Sequence, residues 1–216
     1  MSTAGLLSNP PEKARIHISV ERGNRRHQFS AMAAYFPDQS PFGALFGAFE
    51  LSSVALCLAD TTKPDSPIAG VNAPFCSLAG YDAEDVLGRN CRFLQPKEGA
   101  GPVRERMRAF LADPTAGQSR FLLANIRKGG TRFLNLVFMA KLMRRGRQVA
   151  VLGSQFEVRS RNNTLAYLYD RALTEDLERI KQDTMEHDLV FLENFKTRAS
   201  AQAVIAQPRL DTSGFH

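Results

Sequence analysis

The sequence predicts an α+β fold: a five-stranded antiparallel sheet with its helices on one face, followed by a C-terminal helical extension. Three observations predict it. Two short apolar runs, at 54–59 and 68–71, flank a turn bounded by Pro64 and Pro67. Several short helical patterns come next, and after them three strand-length runs separated by glycine turns.

Taken in order, residues 1–38 form a basic, polar arm interrupted by Pro10, Pro11, Gly23 and Pro37, and are expected to be partly disordered. Ser40 and Pro41 suit the start of a cap helix over 39–50, with Phe42, Leu45, Phe46 and Phe49 at helical spacing. The main domain spans 51–158. Its first hairpin is Val54–Ala59 and Ile68–Val71. Asn72–Tyr81 suits a short helix with Phe75 and Leu78 inward, and Asp82 opens another turn through Val86 and Leu87, closed by Gly88. Pro102–Leu111 is amphipathic and stops at Asp113-Pro114. The last strands are Ser119–Arg127, Arg132–Leu142 and Gln148–Val158, turned by Gly129-Gly130 and around Gly146.

Beyond the domain, 159–200 reads as a helical extension and 201–216 as a flexible tail. Leu165, Leu168, Ala172, Leu173, Leu177, Ile180, Phe191 and Phe195 are the apolar landmarks, with Thr184 and His187 a polar centre where one helix weakens or two meet. Such a stripe either folds back on the sheet or pairs with a second copy; a homodimer through the terminal helices is expected.

Composition narrows the function classes. A chain of 216 residues, 44% hydrophobic, forms one domain with flanks. No apolar stretch approaches the roughly 18 residues of a membrane span, so a cytoplasmic protein with no membrane partner is expected. The three cysteines have no Cys-x-x-Cys spacing and the four histidines are scattered, so neither a disulfide framework nor a metal site is predicted. The net charge of +6 gathers at Arg15, Arg22, Arg25 and Arg26 and at Arg144, Arg145 and Arg147. These read as solvated arginines rather than a nucleic-acid surface, because no groove-reading pattern accompanies them.

Residues 88–95 read Gly-Arg-Asn-Cys-Arg-Phe-Leu-Gln. With Ala79-Gly80-Tyr81 and the strand motifs downstream, this segment resembles the LOV (light, oxygen, voltage) group of PAS domains, in a short protein with N- and C-terminal helical extensions. The resemblance covers about 50–158. It implies a blue-light photoreceptor that is not an enzyme and that binds a flavin, with Cys91 forming a reversible photoadduct at flavin carbon C4a. Cys57 and Cys76 read as small apolar core residues.

The same resemblance assigns the cofactor contacts. Arg92 and Arg108 are the phosphate cations, with Arg104 and Arg106 as rivals to Arg108. Asn90, Gln95, Asn125, Asn135 and Gln155 are the amides for the ribityl chain and pyrimidine edge, and Leu94, Val137 and Met139 are apolar walls. Gln155 is also the expected signal relay. Ala59, Ser66, Leu134, Val137 and Val151 depart from frequent residues of the group toward smaller walls. The short loop Pro96–Gly101 favours FMN, with FAD or riboflavin as alternatives. Light would then act through the flanking helices and dimer rearrangement on a downstream signalling protein whose identity the residues do not give. His187 reads as a solvated histidine, since no nucleotide-binding segment follows it. The readings left open are a light-independent ligand-binding PAS module and a light-gated DNA-binding protein.

Overall fold

Alternation of side chains along each strand gives the sheet two unlike faces, and the helices divide between them. A computed structural model describes residues 34–37, 40–159, 163–185, 187–192 and 200–206. The predicted strands are β2 (Ala55–Asp60), β3 (Ile68–Asn72), β4 (Gln118–Ile126), β5 (Arg132–Arg144) and β6 (Arg147–Glu157). Two short strands join them, β1 (Ala34–Tyr35) and β7 (Val190–Phe191). The order is β1-β3-β2-β6-β5-β4, every pairing is antiparallel, and β7 pairs β5 beside Leu142 and Met143, past the Gln118–Ala140 end of β4.

One face carries the short helices between β3 and β4. These are α2 (Ala73–Ala79), α3 (Ala83–Val86), a single-turn 3-10 helix at Cys91–Leu94, and α4 (Val103–Ala112). Asn72 starts α2: its fully buried carboxamide accepts from Phe75 N at 3.1 Å and from Leu56 N at 2.9 Å, and donates to Val54 O at 2.8 Å. One side chain thus caps a helix and ties down the start of β2. Gly80 ends α2 at φ 74, a left-handed geometry that glycine adopts without strain. Phe110 of α4 meets Phe121 of β4 edge-on at 5.9 Å, seating that helix at the far strand.

The opposite face holds the larger core. Leu56, Leu58, Leu136, Phe138, Leu142 and Leu152 point there and are fully buried against α1 (Phe46–Leu51) and α5 (Asn163–Met185). Each such side chain contributes about 1.5–3 kcal/mol through burial. Of the two placements open to the extension, α5 takes the fold-back on the sheet: Ala166, Tyr169, Leu173, Leu177 and Ile180 are the stripe it buries. Phe42 and Phe49 are buried here too, so they serve the chain's own core.

Several expectations for the flanks are corrected. Ala34 and Tyr35, assigned to the disordered arm, pair with Asn72 and Val71 because β3 offers a free edge; the arm's arginines lie outside the described residues. The cap helix does not start at Ser40: that residue forms a turn, a 3-10 segment covers Gly43–Leu45, and α1 follows. The helical pattern after 163 ends at Met185. Thr184 O accepts from both His187 N (3.0 Å) and Leu189 N (3.2 Å), which turns the chain back so that Leu189 is buried and Phe191 becomes a strand residue beside Leu142. Phe195 lies outside the described residues. Residues 201–206 are not a free tail but a helix, α6 (Ala201–Ala206), with Ala201 and Ile205 buried and Ala201 N donating to Asp170 Oδ2 at 2.7 Å.

Candidate functional site

Asn90, Cys91, Arg92, Leu94, Gln95, Arg108, Asn125, Asn135, Val137, Met139 and Gln155 come from five separate segments, and the fold brings all of them to one cavity of about 220 Å³ between the sheet, the 3-10 turn and α4. Strand alternation supplies half of this wall. Asn125 on β4, Asn135, Val137 and Met139 on β5, and Gly153 and Gln155 on β6 share a face, and the register pairs Asn125 with Phe133, Val137 with Gln155 and Met139 with Gly153.

The turn that carries Cys91 is braced from outside. Asn90 caps it by accepting from Arg92 N at 3.0 Å, and its amide nitrogen donates to Asp65 O. Arg92 pairs its guanidinium with the Asp65 carboxylate. Asp65 and Ser66 sit at φ 64 and φ 47, a left-handed pair that turns the β2–β3 loop toward this helix.

Cys91 Sγ lies 3.7 Å from Cys57 Sγ, and Cys57 Sγ in turn lies 3.4 Å from the donating Nε2 of Gln155. Contact with the Cys57 thiol and burial hold the Cys91 thiol well above the ordinary cysteine range, so at neutral pH it keeps its proton. Cys76 stands apart in the core, its thiol pushed up to about 11 by burial and by Asp82.

The polar atoms of the cavity test whether a flavin fits. Asn135 Nδ2 donates to Asn125 Oδ1 at 2.7 Å, and Asn125 Nδ2 to Ala124 O at 3.0 Å. That leaves Asn135 Oδ1 and Gln155 Oε1 buried without a protein partner, as is Thr61 Oγ1 at the same cavity. Buried acceptors left unpaired cost about 1–3 kcal/mol each, and a ligand that brings donors relieves that cost. A flavin brings one ring N–H at its pyrimidine edge and the hydroxyls of its ribityl chain, so these acceptors fit it. At the mouth, Arg104 and Arg108, one helical turn apart, line the cavity together with Arg92; Arg106 is not part of the wall.

Sequence reasoning placed Cys57 in an apolar core. It is 3% exposed, yet its sulfur belongs to this wall and touches Cys91. Strand alternation would have found it, since Cys57 is two residues before Ala59, already expected at the pocket. Leu123, Phe75 and Gly153 are further wall residues that the motif alone did not mark. Among the described residues no group of three His, Cys, Asp or Glu is placed to hold a metal ion, and no helix is long and apolar enough to cross a membrane.

With this geometry in place, the comparisons agree with one another. The PAS domain family profile matches residues 53–159. The blue light receptor lreA of Aspergillus flavus is 40% identical over 104 residues, which is 43% of this chain and 12% of that protein. Blue-light-activated histidine kinase 1 of Erythrobacter litoralis is 38% identical over 90 residues, 41% of this chain and 24% of that protein. The chain therefore spans a quarter or less of either relative. The crystal structure of the Rhodobacter sphaeroides LOV protein is 32% identical, with a TM-score of 0.60 over 70% of this chain and 90% of that one.

Proposed function

From the premise that this chain belongs to the LOV group of PAS domains, which its likeness to the Rhodobacter LOV protein establishes, we propose that it is a blue-light photoreceptor that binds FMN and forms a reversible bond between Cys91 and flavin C4a. The observation that carries this reading is the Cys91 thiol lining a cavity whose amides leave two buried acceptors unmatched. A bound flavin supplies blue absorption and an electrophilic carbon. Cys91 supplies both parts of the addition, its sulfur to C4a and its own proton to N5, so no second substrate enters and the reading is a sensor rather than an enzyme.

Asn135 presents an acceptor to the ring edge, with Asn125 holding it in place, and the Gln155 amide faces N5 and donates to it while N5 is unprotonated. Arg92, Arg104 and Arg108 are the cations for the phosphate, and Arg92 exchanges its present partner, Asp65, for that anion. The short loop Pro96–Gly101 has little chain to cover an adenine, which favours FMN over FAD.

Gln155 relays the signal. When N5 gains a proton it becomes a donor, and the Gln155 amide turns to accept from it. Ser154, the next residue, faces the other side of the sheet, where its Oγ lies 2.9 Å from Tyr169 OH of α5. Strain in β6 thus reaches the extension within one residue. Leu165, Tyr167 and Leu168 remain exposed on α5, and Phe46 and Leu51 on α1; we assign these to contact with a second copy of the chain.

The deciding measurement is an absorption spectrum of the purified protein, loaded with FMN, before and after blue light. A reversible loss of the blue band, absent in Cys91→Ala, supports the reading. A colourless protein, or one that is yellow and unchanged by light, defeats it. Equal light and dark scattering masses would remove light-driven dissociation alone, and a monomer mass in both states would remove the dimer.

A further inference from the structure

The cavity holds two thiols, and the photochemistry above uses one. Cys57 is unlike an ordinary core cysteine in three respects. Its sulfur is in contact with Cys91 Sγ at 3.7 Å. It accepts an N–H from Gln155 at 3.4 Å, a polar arrangement that an apolar packing role does not call for. Space has also been kept for it: the β2–β6 register sets Cys57 opposite Gly153, and a Cβ there would come within 2.9 Å of the sulfur and 3.1 Å of Gln155 Nε2.

We propose that Cys57 is a resolving thiol for Cys91, and that the two form a light-driven redox pair that closes to a disulfide while reducing the flavin. This rests on the flavin reading above. Once Cys91 sulfur is bonded to C4a, Cys57 gives up its proton and its Sγ attacks Cys91 Sγ. The Cys91 Sγ–C4a bond breaks and its electron pair stays on the ring. The proton from Cys91, at N5, and the one released by Cys57 complete the dihydroflavin. Two thiols have lost two electrons and two protons, the flavin has gained both, and no outside oxidant is needed.

The pair is chemically ordered for this step. In the adduct Cys91 carries no S–H, so Cys57 is the thiol left to attack, and the N–H groups of Gln155 and Gly153 beside its sulfur favour the thiolate it must become. Cys57 is 3% exposed, so the ring sharing its cavity is the oxidant within reach. Oxygen would reoxidise the dihydroflavin, and the disulfide would then leave the protein blind to light until a small thiol entered the cavity and reduced it by exchange.

The test illuminates the FMN-loaded full chain without oxygen or added thiol, quenches it in acid with an alkylating reagent, and locates free and linked cysteines by mass spectrometry. The proposal expects a Cys57–Cys91 linked peptide that grows with exposure, Cys76 alkylated throughout, and a fraction of blue absorbance that returns only when oxygen is admitted. In Cys57→Ser the absorbance should return fully in the dark without oxygen. Reversible bleaching with Cys57 and Cys91 both fully alkylated after long illumination would overturn the redox pair and leave the photoreceptor reading standing. No bleaching in either protein would overturn both.

Discussion

The two faces of the sheet are built from the same strands and solve opposite problems. Along β6, Leu152 and Ser154 face α5, while Gly153 and Gln155 face the cavity. On the α5 side apolar residues meet in a closed core, and the polar groups that cross it are matched: Ser154 with Tyr169 at 2.9 Å, Arg120 with Asp170 at 2.6 Å, Ser52 with Asp176 at 2.5 Å. On the cavity side Thr61, Asn135 and Gln155 each leave a buried oxygen unpaired; Arg120 Nε is the counterpart orphan of the closed face. One face holds the chain together, and the other keeps polar atoms available for something that is not protein. Stability and function are therefore separable by strand parity, and substitutions one residue apart should reveal it.

The largest contrast is expected between Phe138 and Met139. Phe138 is fully buried in the closed core, and Phe138→Ala should cost about 3–5 kcal/mol, enough to unfold a marginal domain. Met139, half-buried at the cavity, has an unfilled neighbouring space, so Met139→Ala should cost well under half as much in the ligand-free chain. Denaturant titration of both variants measures this; equal losses would mean that the cavity face carries the fold as well.

A smaller effect is expected where the closed face uses polar contacts. Tyr169→Phe removes the Ser154 partner and strands a buried hydroxyl, at a cost of about 1 kcal/mol. Phe156 stacks on the same ring at 4.7 Å and is untouched by the change, so a loss comparable to that of Phe138→Ala would mean that the hydroxyl pair organises the docking of α5.

Asp176 sharpens the comparison through pH. Burial, outweighing its hydrogen bonds from Ser52 and Arg179, raises its carboxyl above the usual Asp value of 3.8. The folded chain therefore holds this proton more tightly than the unfolded one. That contribution is complete below 3.8 and is lost as pH rises through the folded value. The stability of wild type relative to Asp176→Asn should accordingly fall as pH rises from about 3.8 toward neutrality, read as a difference of melting temperatures. A difference that rises instead would mean that Ser52 and Arg179 dominate over burial.

Part of this two-sidedness was legible in the sequence. The resemblance carried by the octapeptide at 88–95 and the strand motifs gave Asn125, Asn135, Val137, Met139 and Gln155 to the cofactor, and the register places them on one face. What stayed hidden depends on register and on free edges. Alternation with Ala59 places Cys57 on the cavity face, but the room for its sulfur comes from pairing with Gly153, a contact across 96 residues of chain that no local pattern encodes. Phe191 kept helical spacing with its neighbours, and only the unpaired length of β5 beyond Ala140 made it a strand residue. Ala34 and Tyr35 are likewise ordered by the edge of β3 rather than by their own propensity. The α5 stripe was expected to meet a second copy, and most of it folds back on the sheet instead, because an apolar helix face fits either partner until the sheet's exposed area is known.

The smallest effect on stability, and the most telling on function, is expected at Gln155. In the ligand-free chain its amide makes one long contact, to Cys57 sulfur at 3.4 Å, and buries an oxygen with no partner. Losing the first and the second together nearly cancels, since a net hydrogen bond is worth about 0.5–1.5 kcal/mol and an orphaned acceptor costs about 1–3. Gln155→Leu should therefore leave dark stability within about 1 kcal/mol of wild type, where a change of similar size at Phe138 unfolds the chain. Under light the ranking inverts. Leucine cannot exchange a donor for an acceptor when N5 is protonated, so the bond at Cys91 should still form while hydrogen exchange along α5 loses most of its light-dependent change. An undiminished change would mean that the signal leaves the cavity by another strand, and the parity of β6 would then explain how the protein is built but not how it reports.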